Sequence, residues 1–272
     1  MQVHVGCEFR YESAVPTATV WQVRPRPDGV HRVLTQSWET TPNVEISSYR
    51  DSFGNLCDRM TLPKGPSRVR YDATVEVPPT YDEADKGAER VPVEDLPSDE
   101  LLYLLPSRFC LSELLRDRAW KLFGNVEPGW QQVQAICDWV NNHLTFGYGA
   151  STATTTALDA YERGTGVCRD FAHLAITFCR ALNIPARYVC GYIPDIAVTP
   201  PDEPMDFCAW FEAYLEGRWW TFDARLNVPR IGRVVIGHGR DAVDVAMVTA
   251  YGLVEFKGLT VWADEVDPDR SS

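Results

Sequence analysis

No stretch of the chain approaches the run of about eighteen uninterrupted apolar residues that a membrane helix needs. Met1-Gln2-Val3-His4-Val5 opens without a basic region followed by an apolar block, so neither a span nor an exported leader is expected, and a cytoplasmic location is. Positive charge is scarce: 26 Lys and Arg face 38 Asp and Glu, and the net charge of −12 opposes both a nucleic-acid backbone and an anionic membrane surface. No C-x-x-C pair joins the eight cysteines at 7, 57, 110, 137, 168, 179, 190 and 208. That scatter excludes a dense disulfide framework and disfavours structural zinc, so free thiols in a reducing compartment are expected, with no metal and no other cofactor. Internal repeats and low-complexity tracts are absent as well.

What is present is enough apolar residue, 45% of 272, to bury a large core, as one large domain or two smaller ones. Residues 1–80 alternate with the two-residue period of strands. Val3, Val5, Cys7 and Phe9 form one run and Val69, Tyr71, Ala73, Val75 and Val77 another, with shorter groups at Val20 to Val23 and at Val44 and Ile46. The pattern predicts a small antiparallel β-sandwich-like domain of architectural or substrate-guiding use. Residues 81–100 turn polar and acidic and read as a linker with solvated charges, leaving 101–272 as a second region.

That second region reads as helices followed by strands. Helices are predicted over Ser112 to Phe123, from Trp130 onward along the stripe Val133, Ile136, Cys137 and Val140, and over Ala157 to Glu162. A buried strand is expected over Ala186 to Ile193, then a proline-rich excursion from Pro194 to Pro204 that either edges a groove or is a solvated loop. Phe207 to Leu215 and Trp219 to Arg225 flank Glu216-Gly217-Arg218 as a hairpin, and a short helix is expected over Asp241 to Val248. The fold class is therefore α+β.

The chain is organised around Gly164-Thr165-Gly166-Val167-Cys168-Arg169-Asp170-Phe171-Ala172-His173-Leu174. Two glycines lead into a cysteine that opens an apolar run of helical spacing through Phe178, Cys179 and Leu182. Free N–H groups at a helix start, the helix dipole and the adjacent Arg169 favour a thiolate at Cys168. The alternative is a buried core cysteine, the fate expected of Cys179. Asp170 is placed to cap or brace the same helix start.

Forty residues on, Cys208-Ala209-Trp210 lies on the first strand of the hairpin, and Phe222-Asp223 ends its partner. The order Gly-x-Cys at a helix start, then x-Ala-Trp on a strand, then Asp on the next strand resembles the core of the transglutaminase-like (papain-like) superfamily. Ala181 to Arg187 and Trp220-Thr221-Phe222-Asp223-Ala224-Arg225 are similar to its bacterial members, and residues 1–80 to the β domain those members carry ahead of the core. The resemblance covers roughly Trp130 to Gly252. It implies a helix-on-sheet core and acyl transfer at a cysteine, with Cys168 as nucleophile, position 208 as the proton-shuttling imidazole and Asp223 as the carboxylate that orients it. The implied partner is a peptide or protein substrate with an amide carbonyl.

Position 208 departs from that pattern, because the pattern has His where this chain has Cys. A thiol carries one proton and gives Asp223 no N–H to hold. In some related bacterial sequences a His follows the Asp-Ala-Arg turn, where this chain has Leu226. Of the five histidines, His173 falls about 140° around the helix from Cys168 and is expected in the core. His143 is expected at a helix end, and His4 and His31 in the sandwich. His238, in Gly237-His238-Gly239, is the one candidate substitute. Tyr148 is either an oxyanion donor beside the Cys168 N–H or a packed loop aromatic. Adjacent thiols at 168 and 208 could also form a disulfide or capture a soft metal ion. Two functions remain open: a cysteine acyl-transfer enzyme weakened at position 208, and a non-catalytic binding or scaffolding module with the same fold. A third account has Cys208 introduced into a chain that normally carries His.

Overall fold

The computed structural model describes residues 1–200 and 203–266. Its first part is built from β1 (Gln2–Ser13), β2 (Thr17–Trp21), β3 (Arg32–Thr41), β4 (Ser47–Arg50), β5 (Leu56–Leu62) and β6 (Gly65–Glu76). Strict alternation in β1 and β6 puts Val3, Val5, Cys7 and Phe9 beside Tyr71, Ala73 and Val75 on a single buried face. Across from them, Trp21 of β2, in the facing sheet, meets Phe9 edge-on at 5.2 Å and closes the sandwich, while Trp38 of β3 meets its cross-strand neighbour Tyr71 at 5.1 Å within the first sheet. β3 carries a mostly exposed edge with no regular apolar period, and for that reason it escapes sequence reading; Val44 and Ile46 lie outside any strand.

The second part contains α1 (Ser112–Phe123), α2 (Trp130–His143), β7 (Thr145–Phe146), α3 (Ala157–Arg163), β8 (Thr165–Gly166), α4 (Cys168–Ala181), β9 (Ala186–Tyr192), β10 (Cys208–Leu215), β11 (Arg218–Phe222) and β12 (Val234–Gly239). α4 is buried on every side from Asp170 onward, packed between the other helices and an antiparallel sheet in the order β11-β10-β9-β12. β10 and β11 are joined by Glu216 and Gly217, both at positive φ (50° and 81°), the geometry whose twist suits a two-residue hairpin. None of the described helices is long and apolar enough to cross a membrane.

Two expectations need correcting. The segment after Asp241 turns instead of forming a helix, because the Asp241 carboxylate accepts the backbone N–H groups of Phe109 (2.8 Å) and Val243 (2.9 Å) and pins the chain locally. The chain then leaves the second region: β13 (Val248–Ala250) pairs with β2, and β14 (Val254–Glu265) pairs with β1 along its whole length. The first region's two sheets are thus β14-β1-β6-β3 and β13-β2-β5-β4, each completed by a strand from the far end of the sequence. Residues 81–100 behave as a strap with defined anchors. Asp82 accepts hydrogen bonds from Arg233 Nε at 2.9 Å and from the Arg230 N–H at 2.9 Å, and the buried Ala88 accepts the Trp130 N–H through its carbonyl.

Candidate active site

Cys168 is the first residue of α4, delivered there by a short parallel β7–β8 pair. Gly164 takes a left-handed φ of 69° to end α3, and Gly166 admits the Asp170 side chain, since a β-carbon there would lie 2.7 Å from Asp170 Cβ. The fully buried Asp170 accepts the Val167 N–H at 2.8 Å and the Ser151 hydroxyl at 3.1 Å. The half-buried thiol of Cys168 points to the Phe207 carbonyl, with sulfur and oxygen 3.8 Å apart.

Phe207 leads directly into β10, whose first residue is Cys208. Both thiols line one cavity of about 1050 Å³. Its walls combine β1 (Phe9, Tyr11), the segment ahead of α4 (Phe146, Tyr148), the excursion after β9 (Asp195, Val198, Asp206), the turn after β11 (Arg225, Leu226) and the segment leading into β13 (Met247, Val248). The Pro194–Pro204 excursion thus edges the cavity in its described part, and the N-terminal sandwich supplies part of the wall. Tyr148 lines the cavity while remaining exposed.

Electrostatics at the thiols run against the sequence expectation. Burial pushes the Cys168 thiol up to about 11, outweighing the Arg225 guanidinium and the backbone N–H groups of Ala209 and Arg169. The helpful cation is Arg225, whereas the Arg169 side chain donates to Ser151 Oγ and to the Thr152 carbonyl, each at 2.7 Å. Burial and the neighbouring Cys168 sulfur push Cys208 to about 12. All eight cysteines are unpaired, and among the described residues no three His, Cys, Asp or Glu side chains are placed to hold a metal ion.

Asp223 lies immediately after β11 and does not line the cavity. Its Oδ1 accepts the N–H groups of Arg225 (3.0 Å) and Leu226 (2.9 Å), and its Oδ2 accepts from Arg233 Nη2 at 3.1 Å. Arg233 stands between Asp223 and Asp82 over the Trp210 ring; burial works against its charge, but the two carboxylates prevail and raise it. In this chain the carboxylate therefore holds a turn and a guanidinium. That turn presents Leu226 to the cavity, in one apolar cluster with Cys208 and Trp210.

None of the five histidines lines the cavity. His173 is fully buried, accepts the Ala242 N–H at 3.1 Å through Nε2 and stacks on Phe109, as its helical angle predicts. His238 lies on β12 opposite Val189, and burial holds its imidazole well below the usual range, with Arg187 and Arg26 adding to the effect. It fills no vacancy beside Cys168. Arg225, Arg233, Asp206 and Asp82 carry the local charge and were not singled out in the sequence. Position beside the motifs is the one visible signal for two of them, with Arg225 two residues after Asp223 and Asp206 two before Cys208, and Arg233 and Asp82 have none.

Residues 116–224 match the family model described as the transglutaminase-like superfamily, and residues 1–78 match the bacterial transglutaminase-like N-terminal region. A crystal structure of "a Putative Cysteine Protease from Cytophaga hutchinsonii" is 35% identical, covers 100% of this chain and 92% of its own, and superposes with a TM-score of 0.89. An uncharacterised protein of Mycobacterium leprae is 28% identical over 280 residues, 96% of this chain and 95% of that one. Another, from Mycobacterium tuberculosis, is 26% identical over 263 residues, 88% of this chain and 82% of its own.

Proposed function

Because the chain belongs to the transglutaminase-like superfamily and carries the bacterial N-terminal region ahead of the core, we propose that it transfers acyl groups through a thioester on Cys168. The family implies a peptide or protein substrate with an amide carbonyl. In the proposed reaction the Cys168 thiol releases its proton and the sulfur attacks the carbonyl carbon, forming the C–S bond. The C–N bond then breaks and the departing amine takes up a proton. Water or a second amine resolves the thioester, giving hydrolysis or transamidation.

The observation that carries this reading is the shared cavity, in which the Cys168 thiol faces the start of β10 and Cys208 stands where the family pattern has its imidazole. Backbone N–H groups of Arg169 and Ala209 favour negative charge on the sulfur. The missing base sets the speed, since base assistance contributes roughly a hundred- to ten-thousand-fold. Turnover is therefore slow in this chain. The eight unpaired cysteines support a reducing, cytoplasmic setting as part of the same proposal.

The test is to supply the imidazole. Cys208→His puts it at the family's position, and Leu226→His puts it on the turn that Asp223 braces beside Cys208. At least one of these variants gains about a hundredfold in amide turnover, with a trappable thioester, and adding Cys168→Ala abolishes the gain. If neither variant nor the parent labels with an acyl donor, the fold serves as a non-catalytic binding module.

A further inference from the structure

The cavity contains three arginines, and two are committed. Arg169 is held by Ser151 and Thr152, and Arg230 donates to Asp195 and to the Pro194 carbonyl at 2.9 and 2.8 Å. Arg225 differs. Its backbone is clamped, with the N–H donated to Asp223 and the carbonyl accepting Asn141 Nδ2 at 2.7 Å. Its guanidinium carbon sits 3.9 Å from the centre of the Phe146 ring, a stacked position that fixes the head group. Among the described residues, that head group donates no hydrogen bond and has no carboxylate within 4.0 Å. The carboxyl nearest in effect is Asp206, which accepts the Phe207 N–H at 2.7 Å.

A fixed guanidinium with free donors in the cavity that holds the Cys168 thiol is a binding group, since five N–H donors in a planar fork match a carboxylate. Aromatic rings of Phe9, Tyr11, Phe109 and Tyr148 line the same space and suit a flat apolar side chain. Asp195, Glu203 and Asp206, which line the same cavity, oppose a doubly charged phosphate more than a singly charged carboxylate. We infer that Arg225 anchors the carboxylate of an aromatic or large apolar amino-acid unit in the acyl donor. The inference deepens the acyl-transfer reading by naming the substrate class, and it rests on that reading only in taking the ligand to be an acyl donor.

The experiment needs no turnover, so its failure is distinct from failure of the acyl-transfer reading. Alkylation of Cys168 is followed by peptide mass spectrometry with iodoacetate, an anion, and iodoacetamide, its neutral analogue. Arg225→Gln lowers the iodoacetate-to-iodoacetamide rate ratio about tenfold, and Arg225→Lys, which keeps the charge, retains most of it. N-acetylphenylalanine slows alkylation by iodoacetamide in the parent, N-acetylphenylalanine amide does not, and the protection disappears in Arg225→Gln. Calorimetric titration with the same two probes reads binding directly, including for an unreactive thiol. The inference is overturned by an unchanged rate ratio in Arg225→Gln, by equal binding of acid and amide, or by inorganic phosphate protecting as well as the acid.

Discussion

Cys168 sits at a helix start, where free N–H groups pull its sulfur toward the thiolate, but in a cavity wall where burial pulls harder. With its thiol pushed up to about 11, alkylation of Cys168 climbs about tenfold per pH unit from neutrality to about pH 10, with no plateau in that interval. In Cys208→His an imidazolium replaces a raised thiol, and the plateau moves to lower pH. A plateau near neutrality in the parent chain would show a thiolate already stabilised. Asp223 illustrates the limit of reading residues singly. Its place after β11 is legible in Phe222-Asp223, whereas its partner Arg233 depends on Asp82, drawn in from the strap. Arg225 was equally hidden, because its significance comes from stacking on Phe146, which arrives from the far side of α3.

Among the elements, α4 and the β10–β11 hairpin position the site. The hairpin was legible because Glu216-Gly217 sits between two apolar runs, and α2 and α4 because their apolar stripes keep a helical period. β3 was not, since an exposed edge strand needs no apolar alternation, and the segment after Asp241 lost its helix to hydrogen bonds made by one buried carboxylate. Asp170 is the comparable brace of α4. Asp170→Ala leaves the Val167 N–H and the Ser151 hydroxyl without their acceptor and lowers stability by about 1–3 kcal/mol, read as a reduced urea midpoint. Cys168 alkylation changes with it, because the same carboxylate sets the entry to the helix. An unchanged midpoint and an unchanged alkylation rate would show that the brace is dispensable.

At the level of the whole molecule, the two regions form one packed body. The Tyr192 hydroxyl of β9 donates to the Val23 carbonyl at 2.8 Å, and Phe9 of β1 approaches Phe207, whose carbonyl faces the Cys168 thiol, at 6.1 Å. Burial across this body holds His31, His173 and His238 below their ordinary value of 6.5. Above about pH 6.5 these rings are neutral in both folded and unfolded chains, and their contribution to stability is fully present. As pH falls below 6.5 the unfolded chain takes up protons that the folded chain resists, so stability drops. Urea midpoints are therefore lower at about pH 5.5 than at about pH 7.5, and substituting His238 by Gln removes part of the difference. Equal midpoints would show that the rings protonate freely in the folded state.

Local pattern was enough to set the α+β class, the helix that begins at Cys168 and the strand order that brings Cys208 after it, because periodicity and turn chemistry are properties of neighbouring residues. Pairings across long separations were beyond it. The return of β13 and β14 into the first sheets, the Asp82–Arg233–Asp223 chain, and an aromatic cavity shared by Arg225 and two thiols all join residues distant in sequence. Tertiary packing decided these, and with them the electrostatics: a helix start that favours a thiolate on its own becomes, once enclosed, a site where burial keeps the proton on sulfur.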